Sequence, residues 1–365
     1  MKINFFAPIN NLGYGLHSYY LLKAFEARGH KVTLIPPLGE VRFSDEHVEK
    51  WLAARKDFSE NNPSIMIFSE DFLTQFVGSP RIGFPVFETE GFTPVQIACL
   101  KSCRAILTPT QWGKNVLENN GIRNVHVVNE GVDTETFPFM DFSDAEARND
   151  KFTFLHVGKF EKRKGTLEVI EAFYSAFKTN EARLILHIHN PFVENYDPLF
   201  EKMRELGFAA LTGNTFLRKG LEIVLSKHYD SHADMRGLYA HADAAVFPSR
   251  AEGWGLPILE ALSMGIPTIV GKWTAMTEYI PENYPFQLKI EKLEPVDDIF
   301  YAQDRGQWVV PSMDSMINHM IFIYQYGRKF RKTIDWKNII EIPRSFTWDR
   351  AAFQLEDAIN KIVGY

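Results

Sequence analysis

The sequence predicts an α/β protein made of two doubly wound, Rossmann-like domains facing a cleft, and three observations carry that expectation. The chain has 365 residues, more than one domain of about 150 residues needs. Short apolar runs alternate with amphipathic stretches, the pattern of β-α units feeding a parallel sheet, and the alternation occurs twice, breaking before Phe137 and restarting at Phe152. Glycine-bearing loops follow several of the apolar runs, and open α/β sheets bind ligands beyond the C-terminal ends of their strands.

Residues 1–136 form the first array. Its strand candidates are Ile3–Ala7, Val32–Ile35, Ser64–Phe68, Ile82–Phe87, Ala105–Leu107 and Val125–Val128. A helix over Leu16–Ala27 stops at Gly29, a residue suited to a left-handed cap, and Asp45–Lys56 reads as a second, charged helix. Cys99 and Cys103 share one helical face at i, i+4 spacing and read as small buried hydrophobes, since no C-x-x-C pattern occurs. Residues 137–151, with the acidic run DAEARND, read as a connector.

The second array covers 152–346. Strands are expected at Phe152–Val157, Leu184–Ile188, Glu222–Leu225, Ala244–Phe247 and Thr268–Val270. Helices are expected at Thr166–Lys178, Pro198–Glu205, Asp234–His241 and Leu256–Met264. The last segment, 347–365, carries an amphipathic helix with Trp348, Ala352, Leu355 and Ile359 on its apolar face.

Composition excludes several classes. The 40 Lys plus Arg against 46 Asp plus Glu leave a net charge of −6, which disfavours stable nucleic-acid binding over a whole surface. Two cysteines cannot build a disulfide framework or a cysteine zinc site. No apolar run approaches the roughly 20 residues that span a bilayer, so a cytoplasmic location with at most peripheral membrane contact is the expectation. The basic cluster Arg328, Lys329, Arg331, Lys332 reads as a solvated helix end.

Three loops carry the chemistry. In Asn10-Asn11-Leu12-Gly13-Tyr14-Gly15, glycines let backbone N–H groups approach an anion at a helix start; a tight structural turn fits equally, because Ser18 replaces the third glycine of a dinucleotide fingerprint. In Gly158-Lys159-Phe160-Glu161-Lys162-Arg163-Lys164-Gly165, four cations and one anion make a local +3. Lys162 and Arg163 read there as a solvated face, while Lys159 and Lys164 flank the glycines and could aim at a phosphate in the cleft. In Glu252-Gly253-Trp254-Gly255-Leu256-Pro257, a turn of exposed N–H groups leads into a helix started by Pro257, with Glu252 in the loop and Glu260 in the opening helical turn. Two such carboxylates suit hydroxyls at the two ends of one ligand with phosphates between.

These residues resemble the retaining GT-B glycosyltransferases of family 4. EGWGLPILEALSMGIPTIV is similar to that family's E-G-x-G-x-x-x-x-E signature and its continuation, and HVGKFEKRKG resembles G-R-x-x-x-x-K-G with Lys159 where an arginine is usual. VHVVNEGVDTETF resembles the interdomain N-G-V-D stretch, with Glu130 interposed. The resemblance implies a GT-B fold and a nucleotide-diphosphate-sugar donor bound mainly by the C-terminal domain, with no cofactor and no obligatory metal. Lys159 and Lys164 would stabilise the leaving diphosphate, Glu252 would hold the donor sugar and Glu260 the ribose. Gly253, Trp254, Gly255 and Leu256 would line the donor site with Gly158, and Gly13 and Gly15 would complete it.

The N-terminal domain would then carry the acceptor, a carbohydrate, lipid-linked or other hydroxyl compound. Tyr14, His17, Glu88 and Glu90 are the acceptor-side candidates. His17 also fits a structural role, and Glu88 and Glu90 a structural loop. A glycoside hydrolase would use two carboxylates but has no need of a cationic phosphate clamp. A nucleotide-sugar epimerase, a phosphorylase-like enzyme or an inactive binding module on the same architecture are further alternatives.

Overall fold

The computed structural model describes residues 1–140, 151–179, 182–229, 231–298, 301, 304–330 and 332–364. Most of the expected connector, 141–150, lies outside them, as do Arg331 and Tyr365.

The N-terminal domain holds β1 (Lys2–Phe6), α1 (Gly13–Ala27), β2 (Lys31–Leu34), α2 (Glu46–Ala53), β3 (Ser64–Met66), β4 (Arg81–Gly83), α3 (Pro94–Lys101), β5 (Ala105–Thr108), α4 (Gln111–Asn119) and β6 (Val125–Val127). Its sheet is parallel throughout, in the order β2-β1-β3-β4-β5-β6. Helix α1 starts at Gly13, three residues before the expected Leu16, so Gly13, Tyr14 and Gly15 are its first turn. Gly15 makes this possible: a Cβ there would fall 2.2 Å from the Asn10 carbonyl oxygen. Strand β4 stops at Gly83, shorter than the expected Ile82–Phe87, and residues 84–93 run on as a loop toward the other domain.

The sequence expectation gives helix α3 no bounds, beyond a helical face for Cys99 and Cys103, although its cap is written in Thr93-Pro94-Val95-Gln96. Thr93 Oγ1 accepts from Gln96 N at 3.2 Å, and Gln96 Oε1 accepts from Thr93 N at 3.1 Å, a reciprocal box with Pro94 opening the helix. It ends at Lys101, so buried Cys99 lies in it and half-buried Cys103 just beyond it, contrary to the shared helical face expected; both are free thiols. Burial pushes the Cys103 thiol up to about 11.

The C-terminal domain contains β7 (Phe152–Val157), α5 (Thr166–Ala176), β8 (Ala182–His187), α6 (Asp197–Glu205), β9 (Ala209–Thr212), β10 (Thr215–Arg218), β11 (Leu221–Leu225), α7 (Met235–Ala240), β12 (Ala244–Phe247), α8 (Leu256–Ser263) and β13 (Thr268–Val270). The sheet order is β13-β12-β7-β8-β11-β10-β9, parallel from β13 to β11 and closed by the antiparallel β10 and β9. Beyond it lie β14 (Ile290–Pro295) and β15 (Gln307–Pro311), an antiparallel pair, then α9 (Met313–Phe330), α10 (Ile334–Arg344) and α11 (Trp348–Val363).

Helix α11 packs along α1, where Arg28 reaches Glu356 at 2.9 Å. The chain crosses between the domains beside it: Val132 N donates to Phe346 O at 2.9 Å, and a Cβ on Gly131 would lie 2.3 Å from Trp348 N. At the basic helix end Lys329 and Lys332 are exposed as expected, and among the described residues only Arg328 departs: it is half-buried, and its Nε and Nη2 bond the buried Asp243 carboxylate at 3.1 and 3.2 Å. No helix among the described residues is long and apolar enough to cross a membrane.

Candidate active site in the interdomain cleft

Strand β7 delivers Gly158, a 3₁₀ turn over Lys162–Lys164 follows, and Gly165 opens α5 with φ +71°. That conformation favours glycine, and a Cβ would also meet Pro248 at 2.9 Å. The turn points Lys164 inward. Its Nζ lies 2.6 and 2.8 Å from the two oxygens of Glu252, in the loop between β12 and α8.

Arg163 corrects the expectation of a solvated face, because it is 4% exposed. Its Nη1 donates to Ala251 O at 2.8 Å and to Glu252 at 3.0 Å, and its Nη2 meets Glu161 at 3.2 Å and Glu88 of the N-terminal domain at 3.3 Å. Three carboxylates around one guanidinium offset its desolvation. Lys162 is the partly solvated member of the run, pairing with Asp297 at 3.3 Å. Lys159 sits at the rim, a third exposed, with Glu161 at 2.7 Å and the Phe192 ring 5.4 Å away.

These contacts set the electrostatics. Burial alone would raise the Glu252 carboxyl, but Lys164 and then Arg163 outweigh it and hold it down at about 2. Burial works to lower the Arg163 guanidinium, and Glu88, Glu252 and Glu161 together raise it well above its ordinary value. Burial lowers the Lys164 ammonium against the pull of Glu252.

Two helix starts carry N–H groups with no acceptor among the described residues: Gly13, Tyr14 and Gly15 at α1, and Gly253, Trp254, Gly255 and Leu256 at α8. Each is a place where an anion gains from aligned dipoles. Gly255 holds φ +94° at the α8 start. Gly253 lets the domains meet, since a Cβ would fall 2.5 Å from Val86 Cγ1 and 2.9 Å from Phe87 O. The Trp254 ring is buried against Tyr279 and Phe346, at 5.4 and 5.7 Å between centroids, so only its backbone is available to a ligand.

Glu260 falls in the second turn of α8, one turn later than expected. It is buried, and its oxygens accept from His232 Nε2 at 2.7 Å and Tyr239 Oη at 2.8 Å.

On the N-terminal side, Tyr14 Oη donates to Val86 O at 2.8 Å and accepts from Val86 N at 3.0 Å, holding the loop after β4. Glu88 faces the cleft, bound to Arg163 and to Tyr301 Oη at 2.9 Å. Glu90 is exposed; its backbone N and that of Gly91 donate to Arg305 O, so this segment docks on the loop joining β14 to β15. His17 is 1% exposed, packed against Phe84 at 4.6 Å and Trp348 at 5.9 Å, and burial lowers it to about 3.

Sequence reasoning missed several buried and half-buried groups near the cleft: Arg163 as a buried cation, Glu161, His232, Tyr239, and the carboxyls Glu70 and Glu130. Burial pushes Glu70 up to about 7 and, aided by Glu88, lifts Glu130 well above the carboxylate range. Glu70, Glu130 and the Glu161–Arg163 stretch follow β3, β6 and β7 at their C-terminal ends, a position the strand pattern marks; His232 and Tyr239, in the turn before α7 and in α7, carry no such signal.

Residues 140–287, which contain Lys159, Lys164, Glu252 and Glu260, match the family model described as glycosyl transferases group 1. This stretch of the chain is similar to a group 1 glycosyl transferase domain. The chain is 27% identical over 161 residues to sulfoquinovosyl transferase SQD2 of Arabidopsis thaliana, covering 42% of this chain and 27% of that protein. It is 24% identical over 151 residues to uncharacterized glycosyltransferase 335 of Sulfolobus islandicus rod-shaped virus 1, covering 40% and 43%. The matched segments thus span less than half the length of these curated relatives.

Among solved structures, sucrose-phosphate synthase of Thermosynechococcus elongatus superposes with a TM-score of 0.71 at 14% identity, over 100% of this chain and 99% of that one. Anabaena HepE in complex with UDP and glucose gives 0.65 at 14%, over 99% and 100%. The fold is GT-B.

Proposed function

We propose that the chain is a retaining, family 4 glycosyltransferase that moves a hexose from a nucleotide-diphosphate sugar, UDP- or GDP-linked, to a hydroxyl of a glycan, glycolipid or other acceptor. The observation that carries this reading is the Lys164–Glu252 pair set beside two helix starts whose N–H groups are unpartnered. A diphosphate lying between those helix starts takes its hydrogen bonds from Gly13–Gly15 and Gly253–Leu256. Lys164 shares its protons between the phosphate and Glu252, and Lys159 adds charge at the rim.

Charge grows on the diphosphate as the sugar leaves, and preorganised cations stabilise that growth without rearranging. Glu252, kept ionised, accepts from donor-sugar hydroxyls. In the retaining reading the departing phosphate takes the acceptor's proton on the same face, so no separate base is required. Because the lysines and N–H groups meet the diphosphate charge, the reading requires no metal. The match to UDP-bound HepE supports a nucleotide-sugar donor for this chain.

Thermal-shift measurements against UDP-, GDP- and ADP-sugars select the donor, since a ligand that binds only the native state raises apparent stability. Donor-dependent release of nucleotide diphosphate on adding hydroxyl acceptors, with the anomeric configuration kept in the product, is the expected result. No stabilisation by any of the three, or nucleotide release without sugar transfer, overturns the reading.

A further inference from the structure

We propose that Tyr20 and His232 are positioning residues that aim the Glu260 carboxylate at the donor ribose, so that a side chain of the N-terminal domain tunes nucleotide recognition in the C-terminal one. The inference rests on the reading of Glu260 as the ribose-binding carboxylate.

The three residues form one line across the domain boundary. Tyr20 lies on α1, and its Oη is 2.9 Å from His232 Nδ1. His232, in the 3₁₀ turn leading into α7, presents Nε2 to Glu260 Oε1 at 2.7 Å, while Tyr239 donates to Oε2 at 2.8 Å. One hydrogen bond on each oxygen fixes the carboxylate plane, and an ionised carboxylate has about four acceptor positions, so two are left for vicinal hydroxyls. With Tyr239 alone the carboxylate would be held at a single oxygen.

Proton bookkeeping orders the line. A carboxylate only accepts, so the tautomer that bonds Glu260 carries its proton on Nε2, and the Nδ1 of that tautomer is the acceptor of the Tyr20 hydroxyl proton. Burial, with Asp133 and Glu260 nearby, keeps the Tyr20 phenol protonated and able to donate. Tyr20 thereby selects the tautomer that faces Glu260. Its ring is itself fixed, stacked on Trp348 of α11 at 5.7 Å and 15°, and Phe137 packs against His232 at 5.0 Å. Parting of the domains breaks the Tyr20–His232 bond and with it the selection of the His232 tautomer that faces Glu260, so nucleotide affinity and domain closure favour one another.

The test reads ribose recognition directly. The full chain is titrated with UDP, GDP and ADP, then with the 2′-deoxy form of whichever binds tightest. The reading of Glu260 requires the wild type to prefer the ribonucleotide and E260A to lose that preference. The relay requires H232F to reduce the preference about tenfold and Y20F by a smaller factor, with deoxynucleotide affinity unchanged and H232Q, which keeps an N–H donor, restoring much of it. A residue that merely supports the fold would weaken ribo and deoxy forms alike. If E260A loses the preference but H232F and Y20F keep it, the relay is overturned and the Glu260 reading stands. If E260A keeps it, the Glu260 reading itself fails. Y20F, which removes one hydroxyl, decides the matter should H232F not fold.

Discussion

Lys164 spans both oxygens of Glu252, at 2.6 and 2.8 Å, across 88 positions of sequence, with both side chains buried. The pair is the electrostatic centre of the cleft, since Arg163 leans on the same carboxylate and carries the contact to Glu88 of the other domain. Lys164→Ala is expected to lower kcat about 10²–10³-fold by removing stabilisation of the leaving phosphate. Nucleotide-diphosphate release under saturating donor measures it, with circular dichroism to show that the fold persists. Normal turnover would remove Lys164 from the reaction.

The same pair sets an acid limit on stability. The Glu252 carboxyl is depressed in the folded chain from 4.5 to about 2. Its contribution is therefore fully present above about pH 4.5 and is lost as pH falls through about 2; a shift of that size is about 3 kcal/mol. Urea unfolding of wild type and Glu252→Gln should show a gap at pH 7 that narrows toward pH 3. A gap constant with pH would mean the carboxylate charge does not stabilise the fold.

Glu70 has the opposite sign. Its folded value, about 7, lies above the ordinary 4.5, so the folded chain holds an extra proton between these values and stability falls as pH rises through that window. Glu70→Gln, which mimics the protonated acid, is expected to be nearly neutral at pH 4 and stabilising by up to about 3 kcal/mol at pH 8. Melting temperatures across that range decide it, and destabilisation at pH 8 would contradict the burial argument.

The two glycines of the α1 start should separate cleanly. A Cβ on Gly15 lies 2.2 Å from backbone oxygen of Asn10, whereas one on Gly13 meets nothing within 4 Å. Gly15→Ala should destabilise the chain and Gly13→Ala should leave it unharmed or firmer by about 0.5–1 kcal/mol. Thermal unfolding of the two variants reports the contrast; equal losses would mean that the α1 start is not held as described.

Transfer activity is expected to persist in excess chelator, because the diphosphate charge is assigned to Lys164, Lys159 and the helix-start N–H groups. Dialysis against EDTA followed by the release assay checks this, and a strict requirement for added metal would overturn the role given to the lysines.

Much of this chain is legible by local rules. Strands β7, β12 and β13 match their sequence ranges because buried parallel strands are continuous apolar runs. Helix α3 was legible in principle, through Thr93 and Gln96, but its weak apolar stripe hides it from periodicity. The β14–β15 pair resisted for another reason: most of β14 is exposed, so its sequence, IEKLEP, alternates toward no core.

The sequence by itself determined the two β-α arrays and the glycine-bearing loops at their strand ends in which Lys164 and Glu252 lie, because these follow from spacing within a few turns or strands. Only the tertiary structure decided that Arg163 is buried rather than solvated, that Glu90 turns outward while Glu88 turns in, and that Glu260 answers through His232 to Tyr20, 212 positions from that histidine. Charge pairing in a desolvated cleft depends on which loops arrive from elsewhere in the chain, and no local pattern of residues records that arrival.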